Sequence, residues 1–210
     1  QELQGITLKD ISLSVLVDGK KKASEKGDIL FTHFGVSGPT VLVLSGIVID
    51  ALAAGSPVAL SLQLRPAYTA QELDPILQRE FESCGTITLS QYLKDALPKS
   101  FALLFERRCA IEPGKRCSKI SREERKRIVL GFADFRITIT KPRPIEEATI
   151  TRGGVSLEEI NPRTMESRIV HGLFFCGEMI DVDGMTGGYN LQAAFSTGYL
   201  AGESAAQIQR

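Results

Sequence analysis

Apolar and partly polar residues alternate from Ile11 to Val17, with Ile11, Leu13, Val15 and Val17 in step, and the alternation stops at Asp18-Gly19. Period two puts successive side chains on opposite faces of a pleated strand, and Asp-Gly between apolar runs is a strong short-range hairpin signal. The pattern predicts a strand, a turn, a second strand through Lys20–Ala23 and a third near Asp28–Thr32. Gly35-Val-Ser-Gly-Pro39 punctuates, and Pro39 suits the first helical position, where its missing amide would have had no helical acceptor. Val41, Leu42, Leu44, Val48, Ile49 and Leu52 then recur at helical spacing. Val58, Leu60, Leu62 and Leu64 restore period two, so the chain re-enters a sheet.

From Thr69 to about Ala133 the pattern is helical. Thr69-Ala-Gln-Glu72 and Ser121-Arg-Glu-Glu124 both fit a capping box, in which the hydroxyl accepts from an amide three residues on and the Glu reaches back to the cap. Ser90–Leu97 and Lys99–Cys109 predict two further helices around Pro98. Arg136–Thr140 and Glu147–Thr151 read as strands that return to the sheet, separated by Lys141-Pro-Arg-Pro144. The fold class expected is α+β: an antiparallel, barrel-like β domain over 1–148, its sheet drawn from about 1–67 and 134–148, with a helical insert at about 68–133. After Gly153-Gly154 the composition shifts to loops and short apolar runs over 149–210. There an apolar strand, Leu173–Cys176, leads through a Gly- and Asp-rich loop into a helix opening at about Asn190.

Composition narrows the functional classes. The chain is 43% hydrophobic and 24% charged, with no apolar run near the ~18 residues a membrane span needs and no visible leader, so a cytoplasmic protein without a membrane partner is expected. Cys84, Cys109, Cys117 and Cys176 have no C-x-x-C spacing, and only His33 and His171 could add imidazole ligands, so neither a metal centre nor a disulfide is expected. Net charge is zero, yet Glu106–Arg127 carries nine basic and four acidic residues, leaving +5 there and −5 elsewhere.

A strand that delivers a Gly-rich loop to a helix N-terminus makes a site for negative charge, because the first-turn amides lack helical acceptors and the helix dipole adds to their field. Glu178, a carboxylate just after a strand and beside Gly177, can accept hydrogen bonds from a polyol; the competing account is a surface acid at a strand end. Asp181 and Asp183 lack a third ligand at a recognisable spacing and are expected to order the loop by Asx-turns. Thr164-Met-Glu-Ser-Arg168 either faces a site or forms a surface hairpin. His33 is the best candidate for an acid, base or proton relay from the β domain, weighed against a structural role.

Gly172-Leu-Phe-Phe-Cys-Gly-Glu178 resembles the second FAD fingerprint of two-dinucleotide-fold flavoproteins. Together with Asp181-Val-Asp-Gly-Met-Thr-Gly-Gly-Tyr-Asn190, Leu30-Phe-Thr-His-Phe-Gly-Val-Ser-Gly-Pro39, Gly153-Gly-Val155 and Thr164-Met-Glu-Ser167, the chain resembles a bacterial family of NAD(P)/FAD-dependent oxidoreductases that includes aminoacetone oxidases and bile-acid dienone reductases. The resemblance implies a Rossmann-like segment over 149–210, FAD as cofactor, NAD(P)H as a possible electron donor and a small-molecule substrate. It implies that Gly177 and Glu178 meet the ribityl chain, and that Gly187, Gly188, Tyr189, Asn190 and Leu191 bring backbone amides to the pyrimidine edge. Gly153 and Gly154 either let backbone approach the isoalloxazine or mark a domain crossover.

The G-x-G-x-x-G turn that holds the pyrophosphate in such proteins does not occur among the 19 glycines, so Gln1 is expected to be an excision point and the N-terminal FAD-binding half to be a missing partner. A non-catalytic module docking nucleic acid or a protein through Glu106–Arg127 is the rival class. Interleaved acids and the lack of aromatics in that segment weigh against a nucleic-acid partner.

Overall fold

The alternation at Ile11–Val17 lies in a long strand, β1 (Thr7–Val17), which the Asp18-Gly19 turn joins to β2 (Lys20–Thr32) in an antiparallel hairpin registered Val17↔Lys20 and Thr7↔Leu30. The computed structural model describes residues 2–185 and 187–208; Gln1 and Thr186 of the motifs above lie outside them. Lys20–Ala23 and Asp28–Thr32, expected as two strands, are the ends of one. Polar Ser24–Lys26 pair continuously with Ser14–Ser12 of β1, because ladder bonds are made by backbone and need no apolar side chains. Register shifts at Leu8/Ile11 and Val15/Leu16 mark irregularities of the bulge type, which bend a strand and increase its twist.

A short β3 (Gly35–Ser37) pairs with the end of β2, and α1 (Pro39–Ala53) starts with Pro39 in its first turn. On the other side of β1 lie β4 (Val58–Gln63) and β5 (Phe135–Ile139), giving the antiparallel order β3-β2-β1-β4-β5, a curled half-barrel.

Between β4 and β5 runs the helical insert, α2 (Ala70–Ser83), α3 (Leu89–Ala96), α4 (Lys99–Arg108) and α5 (Arg122–Ala133). Both capping boxes form: Glu72 N donates to Thr69 Oγ1 at 3.3 Å and Thr69 N to Glu72 Oε2 at 2.8 Å, with 3.2 and 2.7 Å for the Ser121–Glu124 pair. One hydrophobic cluster joins insert and sheet, in which Phe101, Phe105, Phe132, Leu73, Leu77 and Leu93 pack with Leu13, Val15, Leu60 and Leu62. Phe101 touches Phe31 of β2 and Phe135 of β5 at ring separations of 5.8 and 4.9 Å. Each such side chain contributes about 1.5–3 kcal/mol of burial, which the amphipathic helices could not realise alone. Arg65, just past β4, locks the junction: it donates to Glu80 of α2 at 3.0 and 3.2 Å and to the Tyr92 hydroxyl of α3 at 2.8 Å, and lies 4.9 Å from the centre of the Phe132 ring.

The expected strand at Glu147–Thr151 does not form. Pro142 and Pro144 remove two backbone donors, and Ile145–Glu147 coils into a 3-10 turn with the Glu147 and Ala148 amides bonded to Pro144 and Ile145 carbonyls.

Contacts divide the chain into Gln1–Pro142 and Arg143–Arg210. The second unit centres on Ile160, Met165, Ile180 and Ala201, with α6 (Tyr189–Ile208) as its helix. Leu173–Cys176 does not become a regular strand: the Glu166↔Phe174 bridge and the bonds Ser167 N to Leu173 O (2.7 Å) and Phe175 N to Met165 O (3.0 Å) are its pairing among the described residues. The facing segment turns away at Met165, whose φ of 62° breaks an extended ladder. No helix among the described residues is long and apolar enough to cross a membrane.

Candidate functional site

The apolar run at Leu173–Cys176 ends in the 3-10 turn Gly177–Met179. The Gly177 amide donates to Thr197 Oγ1 at 3.0 Å, and that hydroxyl donates to the Ala193 carbonyl at 2.7 Å, so the turn is pinned to the body of α6. Glu178 is thereby left exposed, and among the described residues its carboxylate has no hydrogen bond or ion pair. Thr197 had no signal in the sequence, being one hydroxyl on a helix, twenty positions from the amide it holds.

Asn190 organises the following loop with its side chain, accepting from Gly184 N at 2.6 Å and donating to Gly184 O at 2.9 Å. This clasp replaces the expected Asx-turns. Asp181 and Asp183 are exposed and their carboxylates make no hydrogen bond among the described residues, although the Asp181 amide donates to Val155 O at 3.0 Å. No group of three or more His, Cys, Asp or Glu among the described residues could hold a metal. Gly187 and Gly188 precede the first turn of α6, where Tyr189 and Leu191 are exposed.

Gly154 has a packing reason of its own. A Cβ there would lie 2.6 Å from Met179 O and 2.9 Å from the Ile180 carbonyl carbon, because Val155 and Ile180 form a parallel bridge. Gly153 faces open space. Both glycines thus flank the stretch leading from Glu178 to the loop. Thr164–Arg168 forms a hairpin whose polar groups serve itself: Thr164 Oγ1 accepts from Glu166 N, Ser167 Oγ accepts from the Ile169 and Val170 amides, and Arg168 Nε donates to Ile160 O. Glu166 pairs with His171 Nδ1 at 2.8 Å and accepts from Gly172 N at 2.8 Å.

His33 belongs to the first unit, in the turn between β2 and β3, exposed and edge-on to Phe34 at 4.8 Å. It borders a cavity of about 500 Å³ walled by Leu3, Phe31, Phe34, Val36, Leu104 and Ile137, beside Thr32, whose buried hydroxyl has no partner.

Most of the basic segment is engaged in holding the insert. Arg107 pairs with Glu2, Lys115 with Glu124 at 2.7 Å and Arg125 with Asp74 at 2.9 Å; Arg127 donates to the Cys109 and Ala110 carbonyls, and Arg108 to Arg136 O. The Arg125 hydrogen bond holds the Asp74 carboxyl below its usual range. Glu106, one of the interleaved acids, is buried with Oε1 unpartnered. Arg116, Lys119, Arg122 and Lys126 are exposed and make no hydrogen bond or ion pair among the described residues, along the Cys117–Lys119 turn and the first turns of α5, although Arg122 and Lys126 act on the Asp74 carboxylate from longer range.

Curated proteins similar to this chain align with nearly all of it. A 3-dehydro-bile acid delta(4,6)-reductase of Clostridium scindens is 28% identical over 94% of the chain and 48% of its own length. The ribosomal RNA dihydrouridine synthases of Escherichia coli and Haemophilus influenzae are 29% and 31% identical, over 97% and 91% of the chain and 48% and 45% of their lengths. The chain therefore spans about half the length of these relatives. With the five-stranded half-barrel and its four-helix insert in place, residues 1–150 match the barrel and H2TH domain of the HI0933-like proteins, and the chain belongs to that family.

Proposed function

We propose that this chain is the C-terminal part of an FAD-dependent oxidoreductase, in which 143–210 supplies the ribityl and isoalloxazine side of the flavin site and 1–142 the substrate-side domain. The observation that carries the reading is the Gly177–Glu178 turn pinned to α6 through Thr197, with the carboxylate exposed and uncommitted just before the loop that Asn190 clasps. The residues fit the cofactor. Glu178 has both oxygens available to ribityl hydroxyls, and at Gly153, Gly177 and Gly188 even a Cβ would meet no atom within 4 Å, so backbone there is open to close approach.

Bound FAD supplies the redox chemistry, with NAD(P)H as electron donor. The chain binds and orients. Amides near Asn190 and Leu191, in the first turn of α6, favour negative charge at the pyrimidine edge, while the Asn190 side chain is spent on Gly184 and holds the loop. The pyrophosphate falls to a further FAD-binding half of the same protein, in keeping with relatives about twice as long. Leu191, Phe195 and Tyr199, 64–74% exposed and four residues apart on α6, form an apolar stripe for that half to cover. By itself the chain binds FAD weakly and is inactive. Purification of the 210-residue chain with added FAD, then removal of free ligand, tests this: stoichiometric flavin retention contradicts it.

For substrate, the open pocket beside Thr32 and His33, lined by Glu2 and Gln4 as well as by apolar side chains, is the place for a small organic molecule, with His33 as proton donor at its edge. A second reading is an RNA substrate, favoured by the two relatives named for ribosomal RNA and by the four unpaired cations Arg116, Lys119, Arg122 and Lys126. Phosphate contacts make affinity salt-dependent, so RNA binding whose salt slope falls when these four are neutralised selects the second reading.

A further inference from the structure

Spacing along the sequence pairs none of the four cysteines, yet the fold brings two of them together. Half-buried Cys84 closes the C-terminus of α2, its thiol donating to the Glu80 carbonyl at 2.8 Å. Buried Cys117 opens the 3-10 turn Cys117–Lys119. The Cys117 amide donates to Ile87 O at 3.0 Å, and the Ile87 amide donates to Cys84 O at 3.1 Å, so a single residue's backbone joins the two. Thr88 bridges Arg116, and a Cβ built on Gly85 would lie 3.1 Å from Ser118 Cβ, so the neighbours on both sides are also in contact. Within this contact the Cys84 thiol lies close enough to Cys117 to act on its ionisation. The other two cysteines lie elsewhere: Cys109 ends α4 with its sulfur 3.7 Å from Arg127 O, and Cys176 is in the second unit.

We infer that Cys84 and Cys117 form a reversible disulfide, made by exchange with a low-molecular-weight disulfide such as oxidised glutathione that reaches Cys84 first. The Cys84 thiolate attacks one glutathione sulfur, the S–S bond breaks, and one glutathione leaves as thiolate and takes up a proton. Cys117 then releases its proton to solvent and attacks the Cys84 sulfur, expelling the second glutathione. Two protein thiols lose two electrons and two protons, and one glutathione disulfide becomes two thiols. The bond ties the end of α2 to the turn between Arg116 and Lys119, which carries two of the four unpaired cations. Burial, together with the nearby Cys84, pushes the Cys117 thiol up to about 12. Closure is therefore the slow step at neutral pH and quickens about tenfold per pH unit, because only the thiolate attacks.

The full chain is incubated natively with oxidised glutathione, quenched with acid, denatured, alkylated and mapped by peptide mass. Two of the four thiols should be lost, in one peptide linking Cys84 to Cys117 and reopened by dithiothreitol, with Cys109 and Cys176 fully alkylated. Cys117→Ser should instead retain a glutathione adduct on Cys84. A wild-type chain that keeps four thiols under conditions that oxidise a reference dithiol, or that stops at the Cys84 adduct without the crosslink even at pH 9, overturns the inference. Should Cys117→Ser fail to fold, the wild-type map alone decides.

Discussion

Asn190→Ala removes both hydrogen bonds of the clasp on Gly184 and fills their place with a methyl group that reaches neither atom. The bonds are 2.6 and 2.9 Å long and half-buried, and each contributes about 0.5–1.5 kcal/mol net, so the closed loop should lose about 1–3 kcal/mol against its open forms. That corresponds to a roughly 5- to 150-fold rise in the open population. Hydrogen exchange at the Gly184 amide reads it directly, because this N–H is the donor to Asn190 Oδ1. Protection should fall by that factor there, while amides of β1 and β4 in the first unit keep theirs. Asn190→Asp retains an acceptor for Gly184 N but sets a carboxylate oxygen against Gly184 O in place of the donor, so it should not restore wild-type protection. In a flavin-loaded complete protein, Asn190→Ala should weaken FAD by a similar factor, since the loop must then be ordered at the expense of binding. Unchanged protection at Gly184 in a folded Asn190→Ala chain would show that the loop is held by something other than this side chain.

Glu178→Ala in the complete protein should lower FAD affinity about ten- to a hundredfold, the loss of a charge-assisted hydrogen bond of about 1.5–3 kcal/mol; equal flavin titration curves for mutant and wild type would remove Glu178 from the site. Gly188→Val should strain the turn because φ is +92° there, costing about 1–2 kcal/mol, and if FAD stays bound should move its potential by roughly 10–40 mV; full occupancy with an unmoved potential in spectroelectrochemical titration would place this turn away from the ring. Arg65→Met should destabilise the first unit by about 2–3 kcal/mol in urea, because Glu80 and Tyr92 lose their shared partner but Glu80 stays 38% exposed to water; a shift under 1 kcal/mol would mean that water replaces the guanidinium. Burial raises the Asp134 carboxyl, but bonds from Arg136 at 2.8 Å and Ser61 at 2.5 Å outweigh it and leave the group depressed. Its contribution is therefore present above the unfolded value of about 3.9 and lost as pH falls through the lower folded value, so the stability gap between wild type and Asp134→Asn should close on acidification from pH 6 to 3. A gap that is constant across that range refutes the assignment.

Local rules settled the elements that bury one face or carry their own caps. The alternation in β1 and β4, Pro39 at the start of α1, and the two capping boxes were legible because strand period, a missing amide and a hydroxyl–carboxylate pair three residues apart act within a few residues of sequence. The candidate loop from Gly177 to Leu191 was legible as a chemical pattern for the same reason: glycines, an acid and a helix start are read in order along the chain. Tertiary structure decided what distant residues do to one another. It made β2 one strand by giving its polar middle a partner in β1, and it denied Leu173–Cys176 a ladder by turning the facing segment away at Met165. It also spent five of the nine basic residues on carbonyls and carboxylates of the insert and of the segments flanking it, pinned Gly177 to Thr197, and set Cys84 against Cys117 across 33 positions of sequence. These choices depend on which backbone groups and side chains lack partners once the core has packed, a quantity fixed by the whole fold and carried by no single stretch of the chain.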